Sequence, residues 1–393
     1  MEKITFVIPS RNNLEFLKLA YDSIKRLGNG HEILVLNDAS NDGTTEWLQS
    51  LNDNNLLVYD NPGPERIGIV GMFDKGIEMA RTDIIFAFHA DMVAGPKLDQ
   101  NILKYLEPGT VVSATRVEPP LHPPGPEKII ENFGIEADEF DYDKWEEWCA
   151  EIDNGDYTTE GVFAPWCMYK DDFIAIGGHD ELFAPQSRED SDLFSRFLLN
   201  GYKFKQPWGA VVYHFTSRGS RFNKHAGGST GVDSPEWIGT NSKNEKNYIR
   251  KWGHFPQCTA HMKPVVFPKY DIGFVVKNCS MEILTATEPW CSTIYADEYI
   301  MKYITTEQPN TSIDLSKRCY SINSEVCNDI EVRIDGERFT NNDYQNLRKL
   351  PLIIRQNNEL GTFELGNLEI SINSLETYEH NLIINEEKKN GKN

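Results

Sequence analysis

The chain has 393 residues, 39% of them hydrophobic, and a formal net charge of −21. That length allows a large core and predicts two domains, while the negative balance repels a phosphate backbone and argues against nucleic acid as a partner. No apolar run approaches the ~20 residues that cross a bilayer, and the N-terminus lacks a signal-peptide pattern. The seven cysteines are scattered without a Cys-x-x-Cys pair, which suggests neither a zinc ribbon nor a disulfide framework; a cytoplasmic location is expected.

Residues 4–9 are apolar on both faces, as a buried parallel strand is. Asn12 or Asn13 caps the helix that follows, whose apolar face is Leu14, Leu17, Tyr21, Ile24 and Leu27 and which Gly28 ends. Residues 32–36 read as a second buried strand, with Asn37 and Asp38 at its carboxyl end. Thr44 or Thr45 starts a short helix, and another is expected over 72–80. Residues 84–88 form a third strand leading into His89, Ala90 and Asp91, and 110–117 reads as a fourth. This alternation predicts an open α/β sheet, in which ligands bind beyond the carboxyl ends of the strands. Asp38 and Asp91 both fall at such ends. No Gly-x-Gly-x-x-Gly follows the first strand and no Gly-Lys-Ser/Thr loop occurs, so dinucleotide-dehydrogenase and P-loop readings are poorly supported.

Further on, a Gly/Pro-rich loop leads to Glu189 and Asp190, which open a helix carrying Leu193, Phe194, Phe197 and Leu198 and closed by Gly201. A carboxylate at a loop-to-helix junction is rigidly held yet points into open space, the placement a general base needs. The plainer reading is that first-turn acids complement the helix dipole. His214 follows the apolar run 210–213 and so sits at another strand end, with Arg218 and Arg221 just beyond it.

Taken together these segments resemble family 2 glycosyltransferases of the GT-A fold. The residues carrying the resemblance are Phe6 through Asn12, Leu36 through Thr44, Phe88 through Asp91, Gly177 through Phe183, Arg188 through Asp190, and Val212 through His214. Their order and spacing span residues 1–255. The resemblance implies an open, mostly parallel sheet flanked by helices. It also implies an inverting transfer of a sugar from a nucleoside-diphosphate-sugar, a UDP-sugar above all, to a hydroxyl of a glycan acceptor. Asp38, with Pro9, Ser10 and Arg11, is implied to receive the nucleoside, since a carboxylate accepts base N–H or ribose O–H bonds. Asp91 matches the last acid of the family's Asp-x-Asp motif, which holds a divalent cation; His89 stands where the motif's first acid belongs. His214 is implied as the second metal ligand. One carboxylate, one imidazole and two phosphate oxygens suit Mn²⁺, with Mg²⁺ the alternative. Arg218 or Arg221 is expected on the diphosphate, Asp190 as the base, and Glu189, Asp180 and Glu181 around the acceptor. Trp166 offers an aromatic face to a sugar ring, or else packs in the core.

The proline-rich stretch 117–126 is expected to be stiff and extended, followed by a helix over 143–153 bordering the acceptor site. Residues 248–252 lack the Gln-x-x-Arg-Trp pattern of the family's processive polymerases, so a non-processive enzyme is expected. Residues 256–268 read as a linker. Beyond it, 269–385 is expected to form a small α+β domain, with strands over 272–276, 282–284, 330–334, 352–354 and 368–372, a helix over 297–304, and a disordered tail at 386–393. Two alternatives to the transferase are a nucleotidyltransferase making nucleotide-sugars and a non-catalytic glycan-binding protein on the same fold.

Overall fold

The computed structural model describes residues 2–152 and 155–384. The expected tail at 386–393 and Asp153 lie outside these. Two compact units are formed by the described residues: one from 2–152, 155–241, 258–265 and 384, the other from 242–257 and 266–383. The residues expected as a linker, 256–268, are thus shared between the two units.

The first unit contains β1 (Ile4–Ser10), β2 (Glu32–Asp38), β3 (Leu56–Asn61), β4 (Ile84–Ala87), β5 (Met92–Ala94), β6 (Thr110–Ser113), β7 (Thr115–Glu118), β8 (Lys128–Ile130), β9 (Thr158–Thr159), β10 (Trp166–Tyr169), β11 (Lys203–Pro207) and β12 (Val211–His214). Eight of these form a sheet in the order β3-β2-β1-β4-β10-β6-β11-β9. The strands β3, β2, β1 and β4 run parallel, and β10 enters antiparallel between β4 and β6. This is the open, mostly parallel, helix-flanked sheet expected of a GT-A fold.

The sheet is a buried layer because its strands are apolar on both sides. Ile4, Phe6 and Ile8 face one core with Leu17, Tyr21 and Ile24 of the Leu14–Arg26 helix. Val7 and Leu36 face the Ile69–Met79 helix, which approaches so closely that a Cβ on Gly76 would lie 2.4 Å from Val7 Cγ1. That helix starts three residues before its expected position.

The expected strand over 110–117 is two strands. At Ala114 the chain leaves the large sheet and joins a four-stranded one of order β5-β12-β7-β8. The Ala114 N–H donates to Pro165 O at 3.0 Å, and the next N–H, of Thr115, donates to Ala210 O at 2.8 Å, so the switch takes one residue. Here β7 lies parallel to β12 with Val117 opposite Tyr213, which sets Glu118 beside His214.

The second unit holds β13 (Ile272–Lys277), β14 (Thr293–Ala296), β15 (Cys319–Ser321), β16 (Ile330–Asp335), β17 (Gly361–Leu365) and β18 (Leu368–Ile372), in the order β15-β14-β13-β16-β18-β17. Its first four strands are mutually parallel, and only β18 runs antiparallel to them, pairing with β16 on one side and with the edge strand β17 on the other. The unit is therefore alternating α/β, which corrects the expected α+β arrangement. Two expected strands are helices. Residues 282–284 fall in the Met281–Thr287 helix, which Ser280 caps through the Ile283 N–H. Residues 352–354 fall in the Asn341–Asn357 helix, whose buried Leu347, Leu350 and Ile354 recur at helical spacing around Pro351. The expected helix over 297–304 is found at Ile300–Glu307.

Candidate active site

The parallel strands β2, β1 and β4 present their carboxyl ends along one edge. Because β1 lies between the other two, Asp38 and the chain leaving β4 stand two strand spacings apart, about 10 Å.

At the β4 end, His89, Ala90 and Asp91 join β4 to β5, and β5 pairs antiparallel with β12 so that His214 lies opposite Met92. His214 Nε2 comes within 3.7 Å of Asp91 Oδ2. Its other ring nitrogen, Nδ1, is 2.8 Å from Glu118 Oε1. Burial alone would lower the His214 pKa, but Asp91 and Glu118 prevail and raise it to about 9. Burial likewise works against ionisation of Asp91, yet His214, His89 and the Arg218 N–H hold its carboxyl well below the usual carboxylate range. The Arg218 N–H donates to Asp91 Oδ2 at 2.6 Å. His89 tilts against the Phe73 ring at 5.8 Å. Burial lowers its pKa, with Asp91, Asp190 and His214 all within electrostatic reach. Asp190 thus shares one neighbourhood with His89, Asp91 and His214.

The two loops that carry Asp190 and His214 are both strained. Ser187 and Arg188, just before the acidic pair, take φ of 77° and 71°, and Thr216 and Ser217, just after His214, take 69° and 58°. Consecutive left-handed non-glycine residues cost about 1–3 kcal/mol each and cluster where function demands the geometry. The helix Glu189–Leu199 begins at the acidic pair as expected. Glu189 is half-buried, and its Oε2 lies out of solvent without a hydrogen-bond partner. Its burial, and secondarily Asp190, push its pKa up to about 8.

At the β2 end, Asp38 is engaged by its own chain. Its Oδ1 accepts from Asn61 Nδ2 and the Ile67 N–H, both at 2.8 Å, and its Oδ2 from the Gly68 N–H at 2.7 Å. Gly68 in turn abuts Pro185: a Cβ added there would lie 2.4 Å from Pro185 Cβ. Asp38 therefore shapes the loop against which the Asp190 loop rests, a role the sequence did not suggest. Beside it, Glu236 Oε1 pairs with Arg66 Nη2 at 2.6 Å and Arg11 Nη1 at 3.7 Å. Pro9 and Ser10 close β1, where the Ser10 hydroxyl is buried without a protein partner.

Two expectations, for Trp166 and Arg218, need correction. Trp166 is 1% exposed, packed against Phe173 and Phe194, and offers no face to a sugar because β10 is an interior strand. Arg218 is 3% exposed, and its guanidinium is spent inside the protein on Phe215 O, Glu136, Thr230 and Ile135 O. Only its backbone N–H reaches the site. The Tyr142–Glu151 helix buries Trp145 in a second aromatic core with Phe133 and Tyr213, so its tryptophans are packing residues. Arg221 keeps some exposure, paired with Asp233 at 2.7 Å and lying 4.5 Å over the Trp237 ring. Asp180 caps a short turn through the Leu182 N–H at 2.9 Å, and Glu181 projects outward. Sequence reasoning missed Glu118, Arg66 and Asp74, which holds His179 Nδ1 at 2.6 Å.

The donor set can be tested against a divalent cation. Asp91 Oδ2 and His214 Nε2, at 3.7 Å, are spaced as two ligands of one ion, and Glu118 fixes the far side of the imidazole as a carboxylate does behind a metal-bound histidine. Among the described residues no group of three His, Cys, Asp or Glu could hold a metal. The residues fit a cation that completes its shell from a bound ligand.

Residues 5–156 match the family model described as glycosyl transferase family 2. The resemblance carried by the strand-end motifs is thereby borne out over β1 to the helix preceding residue 156. No curated protein matches the chain. Similar solved structures include GalNAc-T7 with UDP, GalNAc and Mn²⁺, at 11% identity and a TM-score of 0.45, covering 64% of this chain and 51% of that one. A mannosyltransferase, PcManGT from Pyrobaculum calidifontis in complex with GDP-Man and Mn²⁺, shares 17% identity at a TM-score of 0.39, covering 54% and 56%. S. aureus TarS 1-349 shares 13% at 0.38, covering 55% and 61%. The chain thus matches about half to three-fifths of the length of these structures.

Proposed function

We propose that the chain is an inverting, metal-dependent, non-processive glycosyltransferase that moves a sugar from a UDP-sugar to a hydroxyl of a glycan. The observation that carries this reading is the shared neighbourhood of Asp91, His214 and Asp190 at the carboxyl edge of a family 2 sheet. Asp91 and His214 are the residues that would hold Mn²⁺ or Mg²⁺, which when bound neutralises charge on the departing diphosphate. Ser10 and Arg11, with Asp38 shaping the loop beside them, line the nucleoside end.

Asp190 takes the proton of the acceptor hydroxyl as that oxygen attacks the anomeric carbon. The carbon–oxygen bond to the diphosphate breaks, and the nucleoside diphosphate leaves with the bonding electrons. With Asp190 as the one base and no carboxylate nucleophile assigned, the reading is a single displacement with inversion. A nucleotidyltransferase is disfavoured because Ser10, Arg11 and Asn12 follow β1 where a Gly-rich, lysine-bearing loop would be needed. Among the described residues no helix is long and apolar enough to cross a membrane. All seven cysteines are free, which supports a reducing, cytoplasmic setting.

The test is release of UDP from a panel of UDP-sugars with Mn²⁺ present. Slow hydrolysis of one donor, faster with an acceptor glycan, is expected. No release from any donor in the panel would favour the non-catalytic glycan-binding alternative, and release of pyrophosphate from a nucleoside triphosphate would favour the nucleotidyltransferase.

A further inference from the structure

Glu118 ends β7, the strand that changes sheets at Ala114, and parallel pairing with β12 puts it beside His214. Its side chain is 2% exposed. Its two oxygens are assigned to different partners. Oε1 accepts from His214 Nδ1 at 2.8 Å with Arg116 Nη1 3.6 Å away, and Oε2 accepts from Lys128 Nζ at 2.8 Å. Neither oxygen is left to reach toward Asp91. The imidazole therefore has one nitrogen committed to Glu118 and the other, Nε2, facing Asp91 Oδ2 at 3.7 Å, with only a long 3.4 Å approach from the Ser217 N–H.

We propose that Glu118 is a positioning residue for His214: it holds the Nδ1–H tautomer and the ring angle that present the Nε2 lone pair to a cation shared with Asp91. Lys128 and Arg116 flank the carboxylate so that it stays ionised and fixed in this buried place. A buried carboxylate with two cations nearby has no need of an imidazole to satisfy it, and the hydrogen bond to Nδ1 is directional. A merely structural ion pair would be complete with Lys128 alone. The inference rests on the reading of Asp91 and His214 as cation ligands.

Mn²⁺ titrated into the UDP-saturated protein, followed by electron paramagnetic resonance, separates the two claims. The wild-type protein is expected to bind Mn²⁺. Glu118→Gln, which keeps the shape but loses the charge and can turn its amide toward the ring, is expected to bind it about 10–100-fold more weakly. UDP affinity measured in EDTA should be the same in both. If the wild-type protein takes up no Mn²⁺, the metal-dependent reading fails and this inference with it. If wild type binds and Glu118→Gln binds equally well, this inference alone is overturned. Should the variant fail to fold, side-chain nitrogen NMR of the wild-type complex with UDP and diamagnetic Mg²⁺ decides. His214 protonated at Nδ1 is expected, and protonation at Nε2 overturns the proposal.

Discussion

The backbone N–H of Phe215 donates to the carbonyl oxygen of Asp91 at 3.0 Å. This bond extends the β5–β12 ladder past its last strand residue and locks the two loops that carry Asp91 and His214 to each other. The spacing of their side chains is therefore set by backbone pairing, with the Arg218 N–H adding a second tie to Asp91 Oδ2. Such a pair is preorganised before any ligand arrives, as an electrostatic site requires.

On the proposed reading, Asp190→Asn removes the proton acceptor and leaves the diphosphate end untouched. Transfer should fall by about 10²–10⁴-fold, while UDP affinity in the presence of Mn²⁺ stays within experimental error. Initial rates and calorimetry on the same preparation check this. Near-normal turnover in the variant would show that another group takes the proton.

Glu189→Gln separates the fold's pH response from its chemistry. The folded-state pKa of Glu189 is raised, from an ordinary 4.5 to about 8. The unfolded chain therefore releases this proton first as pH rises. The contribution to stability is fully present below pH 4.5 and is lost as pH climbs through about 8. Replacing the residue with Gln should flatten the decline of melting temperature across that interval, so that the variant gains on wild type with rising pH. A constant difference between the two melting curves at every pH would contradict the burial of this carboxyl.

Gly68→Ala tests the link between the two ends of the site. Gly68 has φ of +90°, and a Cβ there would lie 2.4 Å from Pro185 Cβ and 2.6 Å from Pro185 Cα and O. Neither loop can yield cheaply, because Asp38 holds the Gly68 N–H and Pro185 leads into Ser187 and Arg188. Displacement of the base by ~1 Å should cost kcat as much as about 10²-fold, with a smaller change in donor KM. An unchanged kcat would uncouple the Asp38 loop from Asp190.

Arg218 and Arg221 should part company. Arg218→Ala removes the buried donor that serves the carbonyls of Phe215 and Ile135 and should cost about 1–3 kcal/mol in urea denaturation. Arg221→Ala breaks a pair whose side chain is 33% exposed, so stability should move by less than about 1 kcal/mol while UDP affinity falls. If the stability losses are reversed, the burial assigned to the two guanidinium groups is wrong.

Much of the first unit could be read from the chain because its signals are local. Apolar runs bounded by Asn, Asp and Gly gave β1, β2 and β4, and the acidic pair gave the start of the Glu189–Leu199 helix. The strand β3 was missed because its apolar run, Leu56 to Tyr59, is too short to distinguish a strand from one turn of a helix. Interior β10 was missed because Trp166 was read for its aromatic face and not as part of a strand. Asp91 and His214 were legible as strand ends, but Glu118 was not. Its importance comes from a change of sheet at Ala114 that leaves no mark in a run apolar at Val111, Val112, Ala114 and Val117. Arg218 was misjudged for a related reason: sequence shows a cation near a site, whereas burial decides which way it points. In the second unit, the runs at 282–284 and 352–354 are too short to distinguish a strand from one turn of a helix.

The most direct measurement is calorimetric titration of UDP into the wild-type protein and Asp91→Asn, each with and without Mn²⁺. With Asp91 and His214 as the proposed protein ligands of the cation, UDP and Mn²⁺ should each bind weakly alone and at least tenfold more tightly together. Asp91→Asn should abolish the mutual enhancement while leaving metal-free UDP binding intact. Equal UDP affinity with and without Mn²⁺ in the wild-type protein would contradict a diphosphate and a cation sharing the space between Asp91 and His214.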